Sequence, residues 1–292
     1  MERTYINEVQ KEIGSTVRVQ GFIENLRNSK YMAFIVLKDI TGKLQITVEK
    51  ADHPDLVDTI DKLTPDSVIT VTGKVMENDY VKMGGIEMIP ESIEIESIAD
   101  PLPIVRKEIA ATKKKKAVER SSIDQRIDYR WIDLRTDENQ LMFKAQSCFV
   151  NAMRKFLLDR NFIEIHTPKL IAAASESGSE VFKVDYFDRN AYLAQSPQFY
   201  KQMAMAAGFE RIFETGPVFR AEKSYTNKHS TEFSGFDLEF SYITSYKDVM
   251  KMEEELLTAG LQAVKDNYGD QIKEMFGQEV IVPTTPFPVV KL

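Results

Sequence analysis

Over the first hundred residues, apolar and polar positions alternate in short runs, the period-two signature of half-buried strands. Residues 16–23 give one such run and residues 32–37 a second. Thr41-Gly42-Lys43 marks a turn, and residues 44–48 follow as a third run. The period then lengthens, because Leu56, Ile60 and Leu63 stand at helical spacing within residues 53–63. Alternation resumes over 67–73 and again over 86–95. Three strands, a helix and two strands predict an OB-fold, a five-stranded Greek-key barrel that commonly binds oligonucleotides.

Pro101-Leu102-Pro103 closes this unit, so the barrel domain is expected over residues 1–103. Residues 104–124 are polar and read as a hinge linker. Its run Lys113-Lys114-Lys115-Lys116 is either a solvated linker or a contact to a phosphate backbone. From 139 to about 160 the pattern is helical, with Phe143, Phe149, Ala152, Met153 and Phe156 on the apolar side. Strands and loops dominate 163–242, and a further helix runs from about 246 to 267. That mixed order predicts an α+β domain on an antiparallel sheet over residues 125–292.

Composition narrows the class. With 43% hydrophobic and 28% charged residues, the chain has the balance of a soluble globular protein. No apolar run approaches the roughly 18 residues that a membrane span needs. The opening Met1-Glu2-Arg3-Thr4-Tyr5 lacks the apolar core of a secretory signal, so a cytoplasmic location with no membrane is expected. Cys148 is the single cysteine, which excludes an internal disulfide framework and a cysteine-based zinc cluster. With His53, His166 and His229 as the only histidines, no metal site is expected in this chain. A net charge of −7 does not advertise nucleic-acid binding, although binding needs only a local basic face.

Two segments carry candidate chemistry. A strand-like run over 211–218 leads into Phe219-Arg220-Ala221-Glu222, then a polar loop to 231 and a returning strand over 232–242. On a strand, Arg220 and Glu222 would share a face. The arginine fork suits a phosphate or carboxylate, and Lys228 and His229 in the loop can close over a nucleotide. The plain alternative is a surface pair. In Ala194-Gln195-Ser196-Pro197-Gln198-Phe199-Tyr200-Lys201-Gln202, Ser196 can cap a helix whose first position is Pro197. Gln198 and Lys201 then share one helical face near an N-terminus that favours anions, which suits a substrate with a side-chain carboxylate. Here the alternative is an ordinary capped surface helix.

The first segment, followed by Thr226, His229 and Thr231-Glu232-Phe233, closely resembles motif 2 of class II aminoacyl-tRNA synthetases. Phe162-Ile163-Glu164-Ile165-His166-Thr167-Pro168-Lys169-Leu170 resembles motif 1 of that class. Arg126 to Arg135 resembles the entry to the catalytic domain in the aspartate, asparagine and lysine subgroup, which carries an N-terminal OB domain. The Gln195-Ser196-Pro197-Gln198 run with Lys201 resembles the aspartyl members, of archaeal type; asparaginyl relatives prefer a Ser-Gly-Gln pattern without the lysine.

The resemblance implies a role for each position. Glu176 would bind the α-amino group of L-aspartate, Gln195 and Ser196 would line its pocket, and Gln198 and Lys201 would meet its side chain. Arg220, the catalytic candidate, would bridge the aspartate α-carboxylate and the α-phosphate of ATP. Glu222, Lys228, His229 and Ser230 would contact ATP, with Mg2+ expected in the full-length enzyme. Arg27, Phe34, Gln45 and Glu87 would hold the anticodon of tRNA(Asp), with Phe34 equally a candidate for the barrel core. A homodimer is expected by analogy. Lys228 stands where the family has arginine, Ser230 where an apolar residue is common, and Ser177 where glycine is usual. Arg220 is the last arginine, and no segment resembling motif 3 precedes Leu292, which implies that these 292 residues alone do not form aspartyl-adenylate. An asparaginyl enzyme and a non-catalytic tRNA-binding paralogue are the alternatives.

Overall fold

The computed structural model describes residues 1–108, 117–172, 180–223, 226 and 228–290. The chain divides into two compact units, Met1–Tyr129 and Arg130–Leu292.

In the first unit, β1 (Thr16–Asn28), β2 (Met32–Lys38), β3 (Lys43–Glu49), β4 (Val68–Glu77) and β5 (Ile86–Ser97) close into a barrel in the order β1-β2-β3-β5-β4. Every ladder is antiparallel except β3–β5. This is the expected OB-fold. Alternate residues such as Val17, Val19, Ile35, Leu37, Leu44 and Ile46 point inward and are buried. Gly21 lets β1 approach β2, since a Cβ there would collide with the Lys38 carbonyl oxygen.

β1 continues past residue 23 because its ladder to β2 shifts register between Ile23 and Asn25. Such a bulge swaps which positions face inward, so Leu26 packs on the core and the simple alternation ends. The helix expected over 53–63 is broken into a 3-10 turn, Pro54–Leu56, and a short α1, Val57–Ile60. Its apolar positions Leu56, Ile60 and Leu63 nevertheless pack into the barrel core as their spacing predicted. The stretch read as a hinge starts fastened to the barrel: Ile104 is buried, and Arg106 grips Asp66 through two hydrogen bonds of 2.9 and 2.7 Å. Lys113 to Lys116 lie outside the described residues. A short α2 (Ile123–Asp128) stands near the end of this unit.

The second unit opens with α3 (Arg130–Asp133) and α4 (Asp137–Leu158). β6 (Ile163–Glu164), β7 (Leu170–Ile171), β8 (Lys183–Tyr186), β9 (Arg189–Leu193), α5 (Gln198–Ala206), β10 (Arg211–Phe219), β11 (Glu232–Phe240) and α6 (Tyr246–Phe276) follow. The strands form two sheets, β11-β10-β6 and β7-β9-β8. α6 starts on a capping box of Ser245 with Asp248 and runs on to Gly277, whose φ of 67° ends it. It therefore extends beyond the expected residue 267.

The β10–β11 hairpin has two unlike faces. Phe213, Phe236, Leu238 and Phe240 pack with Met153, Leu157 and Leu256 from α4 and α6. Strand alternation then sends Glu214, Gly216, Asp237 and Glu239 to the other face. The apolar side anchors the sheet; the polar side carries the candidate site.

Candidate functional site

Above the polar face lies α5. Its Lys201 reaches down to β11, placing Nζ 2.7 Å from Asp237 Oδ1 and 3.1 Å from Glu239 Oε2. Burial pulls the Lys201 pKa down, but hydrogen bonds and charge from Asp237 and then Glu239 outweigh it and raise the value. The ammonium therefore stays charged, with two of its three donors committed. Neither acid was singled out from the sequence. The available signal was their spacing of two, which puts both on one face of a strand.

Gln198 lies one turn before Lys201 on α5, half-buried. The helix begins one residue later than expected: Pro197 is the N-cap, and the Ser196 hydroxyl accepts the Gln198 amide at 3.2 Å. Gln195 donates its side-chain amide to the Glu180 carbonyl oxygen at 3.0 Å, and the same oxygen accepts the Ala221 amide at 3.2 Å. The walls are joined through main chain as well. Ala194 donates to the Lys169 carbonyl at 2.9 Å, and its own carbonyl accepts the Phe219 amide at 3.0 Å. The segments bearing Lys169, Gln195 and Arg220 are thereby fixed to one another.

β10 ends at Phe219, so Arg220 and Glu222 do not lie on a strand as their spacing suggested. The ladder to β11 stops at the Phe219–Glu232 pair because the chain there leaves for the loop. Arg220 still donates its amide to Thr231 at 2.9 Å, and its guanidinium lies over the Phe233 ring, 5.4 Å from the centroid. Glu222, Lys228, His229 and Ser230 are all exposed. Thr226 Oγ1 lies 2.6 Å from His229 Nδ1, which leaves the imidazole Nε2 facing away from that bond. Glu176 lies outside the described residues.

Glu214 anchors the floor. Its carboxylate accepts from the Thr167 amide at 2.9 Å, the Thr167 hydroxyl at 2.7 Å and Lys169 Nζ at 2.9 Å. Burial pushes its pKa up, yet the Thr167 and Lys169 donors prevail and hold it below the usual glutamate range. Beside it, Gly216 and Gly235 pair directly across the ladder and leave that part of the sheet free of side chains.

The barrel carries a second candidate site, on its outer face. Phe34 alternates with the buried Ala33 and Ile35, so its ring faces outward and is not part of the core. Arg27 stands opposite Phe34, Phe34 opposite Thr47, and Gln45 beside Glu87. All five line one cavity of about 780 Å³. Glu87 accepts hydrogen bonds from the Thr47 hydroxyl, from Gln45 Nε2 at 3.4 Å and from Asn78 Nδ2 at 2.7 Å. Gln45 Nε2 also donates to Thr47 Oγ1 at 3.1 Å, so its amide nitrogen is held by two partners. Asn78 and Thr47 were not foreseen.

Among the described residues, no group of three or more His, Cys, Asp or Glu side chains could hold a metal ion. Asp237 and Glu239, the carboxylates facing α5, are engaged by Lys201, so the described residues do not fit a resident Mg2+.

Comparison with known proteins follows the same division. The family described as tRNA synthetases class II (D, K and N) matches residues 122–291, and an OB-fold nucleic acid binding domain matches residues 17–96. An aspartate–tRNA(Asp/Asn) ligase of Methanopyrus kandleri is 43% identical over 94% of this chain and 62% of its own length. An aspartate–tRNA(Asp) ligase of Picrophilus torridus is 42% identical, over 88% of this chain and 58% of its own. Among solved structures, asparaginyl-tRNA synthetase from Pyrococcus horikoshii complexed with asparaginyl-adenylate superposes with a TM-score of 0.84 at 30% identity. That match covers 95% of this chain and 62% of the other. The chain thus spans about three fifths of the length of the relatives it matches.

Proposed function

Because this chain belongs to the class II tRNA synthetases of the aspartate, lysine and asparagine group, we propose that it serves aspartate–tRNA ligation: ATP-dependent activation of L-aspartate and transfer of the aspartyl group to tRNA(Asp). The observation that carries this reading is Lys201, an ammonium held in place by Asp237 and Glu239. Its third donor is available to a substrate carboxylate, a stronger match to aspartate than to the neutral amide of asparagine.

In this mechanism Arg220 holds the α-carboxylate of aspartate against the α-phosphate of ATP. Gln195, Ser196 and Gln198 shape the amino-acid pocket, with Glu176 on the α-amino group. Glu222, Lys228, His229 and Ser230 contact ATP. The carboxylate attacks the α-phosphate and pyrophosphate leaves, so the protein's contribution is alignment and stabilisation of developing negative charge. ATP is a substrate, and Mg2+ accompanies its phosphates, as is typical of this family. The barrel holds the anticodon of tRNA(Asp) through Arg27, Phe34, Gln45 and Glu87. A second copy of the chain would cover the exposed Trp131, Met142 and Phe143 of α3 and α4. The cytoplasm is the compartment consistent with this role.

The test is calorimetric titration of the chain with L-aspartate and with L-asparagine, each in the presence of ATP. Preference for aspartate is expected. Preference for asparagine would assign the pocket to the alternative amino acid, and binding of neither would remove the assignment.

A further inference from the structure

We propose that Tyr80, in the β4–β5 connection, is a second stacking platform on the barrel, and that it takes a nucleobase of the single-stranded anticodon loop. This rests on the anticodon reading above and adds a residue that the motifs did not reach. Tyr80 is 96% exposed, whereas its neighbour Val81 is 5% exposed. A tyrosine ring so exposed gains almost nothing from folding, while its flat apolar faces are what an unstacked base requires.

The ring is nevertheless not carried on a loose loop. Asn78 donates its backbone amide to Gly85 at 2.8 Å and accepts from the Val81 amide at 2.9 Å. The Gly85 amide donates back to Val81 at 3.0 Å, and Gly84 and Gly85 take the positive φ values that close the turn. The Asn78 side chain joins the two parts of the site. Its carbonyl oxygen accepts the Tyr80 amide at 3.0 Å, and its Nδ2 donates to Glu87 Oε1 at 2.7 Å. The backbone of Tyr80 is therefore tied, through one asparagine, to the carboxylate that also orients Gln45.

Tyr80 and Phe34 line the same cavity. Phe34 supplies a half-buried ring from a strand, and Tyr80 supplies an exposed one from the rim. Successive aromatics beside polar edge-readers are the usual arrangement for a single strand, in which stacking adds affinity without choosing the base. Tyr80 accordingly contributes to the strength of binding, and Gln45 and Glu87 to its selectivity.

The experiment measures binding of the full chain to a fluorescently labelled anticodon stem-loop of an aspartate tRNA, together with stem-loops in which each anticodon base is replaced. Tyr80→Ala and Tyr80→Leu are expected to weaken binding by about tenfold, to a similar extent for every stem-loop, and Tyr80→Phe to bind as the wild type does. Wild-type binding with an unchanged Tyr80→Ala constant overturns the proposal and leaves the anticodon reading intact. A loss in Tyr80→Phe as large as in Tyr80→Ala also overturns it, because the hydroxyl and not the ring face would then be in use. If the wild-type chain binds none of the stem-loops at low salt, the anticodon reading itself fails, and the role of Tyr80 fails with it.

Discussion

Glu214 and Asp237 stand directly opposite each other across the β10–β11 ladder, and each is neutralised by a different lysine. Lys169 serves Glu214 from the loop after β6, while Lys201 serves Asp237 from α5. Like charges facing across a strand pair repel, and the two lysines offset that repulsion. Lys201 carries the heavier load because it also holds Glu239 at 3.1 Å.

Lys201→Met should weaken aspartate binding far more than ATP binding. Loss of a charge-assisted hydrogen bond costs on the order of 1.5 to 3 kcal/mol, or roughly ten- to a hundredfold in affinity. Calorimetry on the variant checks this, with circular dichroism to establish that it folds. Equal losses for both ligands would point to a collapsed site instead of a missing contact.

Glu214 should give the protein a specific acid sensitivity. Its folded pKa lies below the ordinary glutamate value, so its contribution is complete above that value, about 4.3, and is lost as pH falls through the lower folded one. Glu214→Gln should therefore destabilise most near neutral pH, by about 1 to 3 kcal/mol. The gap in unfolding midpoint from the wild type should narrow in acid. A gap independent of pH would mean that the charge of Glu214 is not what holds Thr167 and Lys169.

On the alkaline side the sign reverses for Lys201. Its folded pKa is raised, so its stabilisation is complete below the ordinary lysine value, about 10.4, and disappears as pH climbs through the higher folded one. Thermal melts from neutral to strongly alkaline pH should show the wild type losing an advantage that Lys201→Met never had.

Gln45→Ala should flatten discrimination among anticodon bases more than it lowers total affinity for the stem-loop. The Gln45 amide is held by donations from its Nε2 to Thr47 and Glu87, and a strand glutamine so held can read a base edge. Competition between stem-loops that differ at single bases measures it; a uniform loss would place Gln45 outside the reading set.

Gly260→Ala tests how α4 meets α6. An added Cβ would lie 2.6 Å from the Phe149 ring and 3.1 Å from Met153, so that ring or the helices themselves must shift. A loss of about 1 to 3 kcal/mol in urea unfolding is expected for such overpacking, without change in stem-loop binding.

The barrel was legible because strand alternation writes inward-facing residues at every second position, from Val17 and Val19 through Leu44 and Ile46. Legibility stopped at the Ile23–Asn25 bulge, where the ladder slips and the rule changes parity. For the amino-acid pocket, Gln195 to Lys201 could be read as a cap and a helical face because that information is local. The partners of Lys201 could not: Asp237 and Glu239 arrive on another strand, brought there by the hairpin. Asn78 was hidden for the same reason, since only the β4–β5 pairing sets it beside Glu87.

The bonds from Ala194 to Lys169 and from Phe219 to Ala194 involve peptide groups alone. Every amino acid except proline carries the amide that such a bond requires. Side chains at these positions can therefore change over generations, within the space available, while the spacing between Gln195 and Arg220 is inherited unaltered. The frame between these two segments is thus entrusted to the part of the chain that point mutation can barely edit, and substitutions in the side chains around it need not disturb that frame.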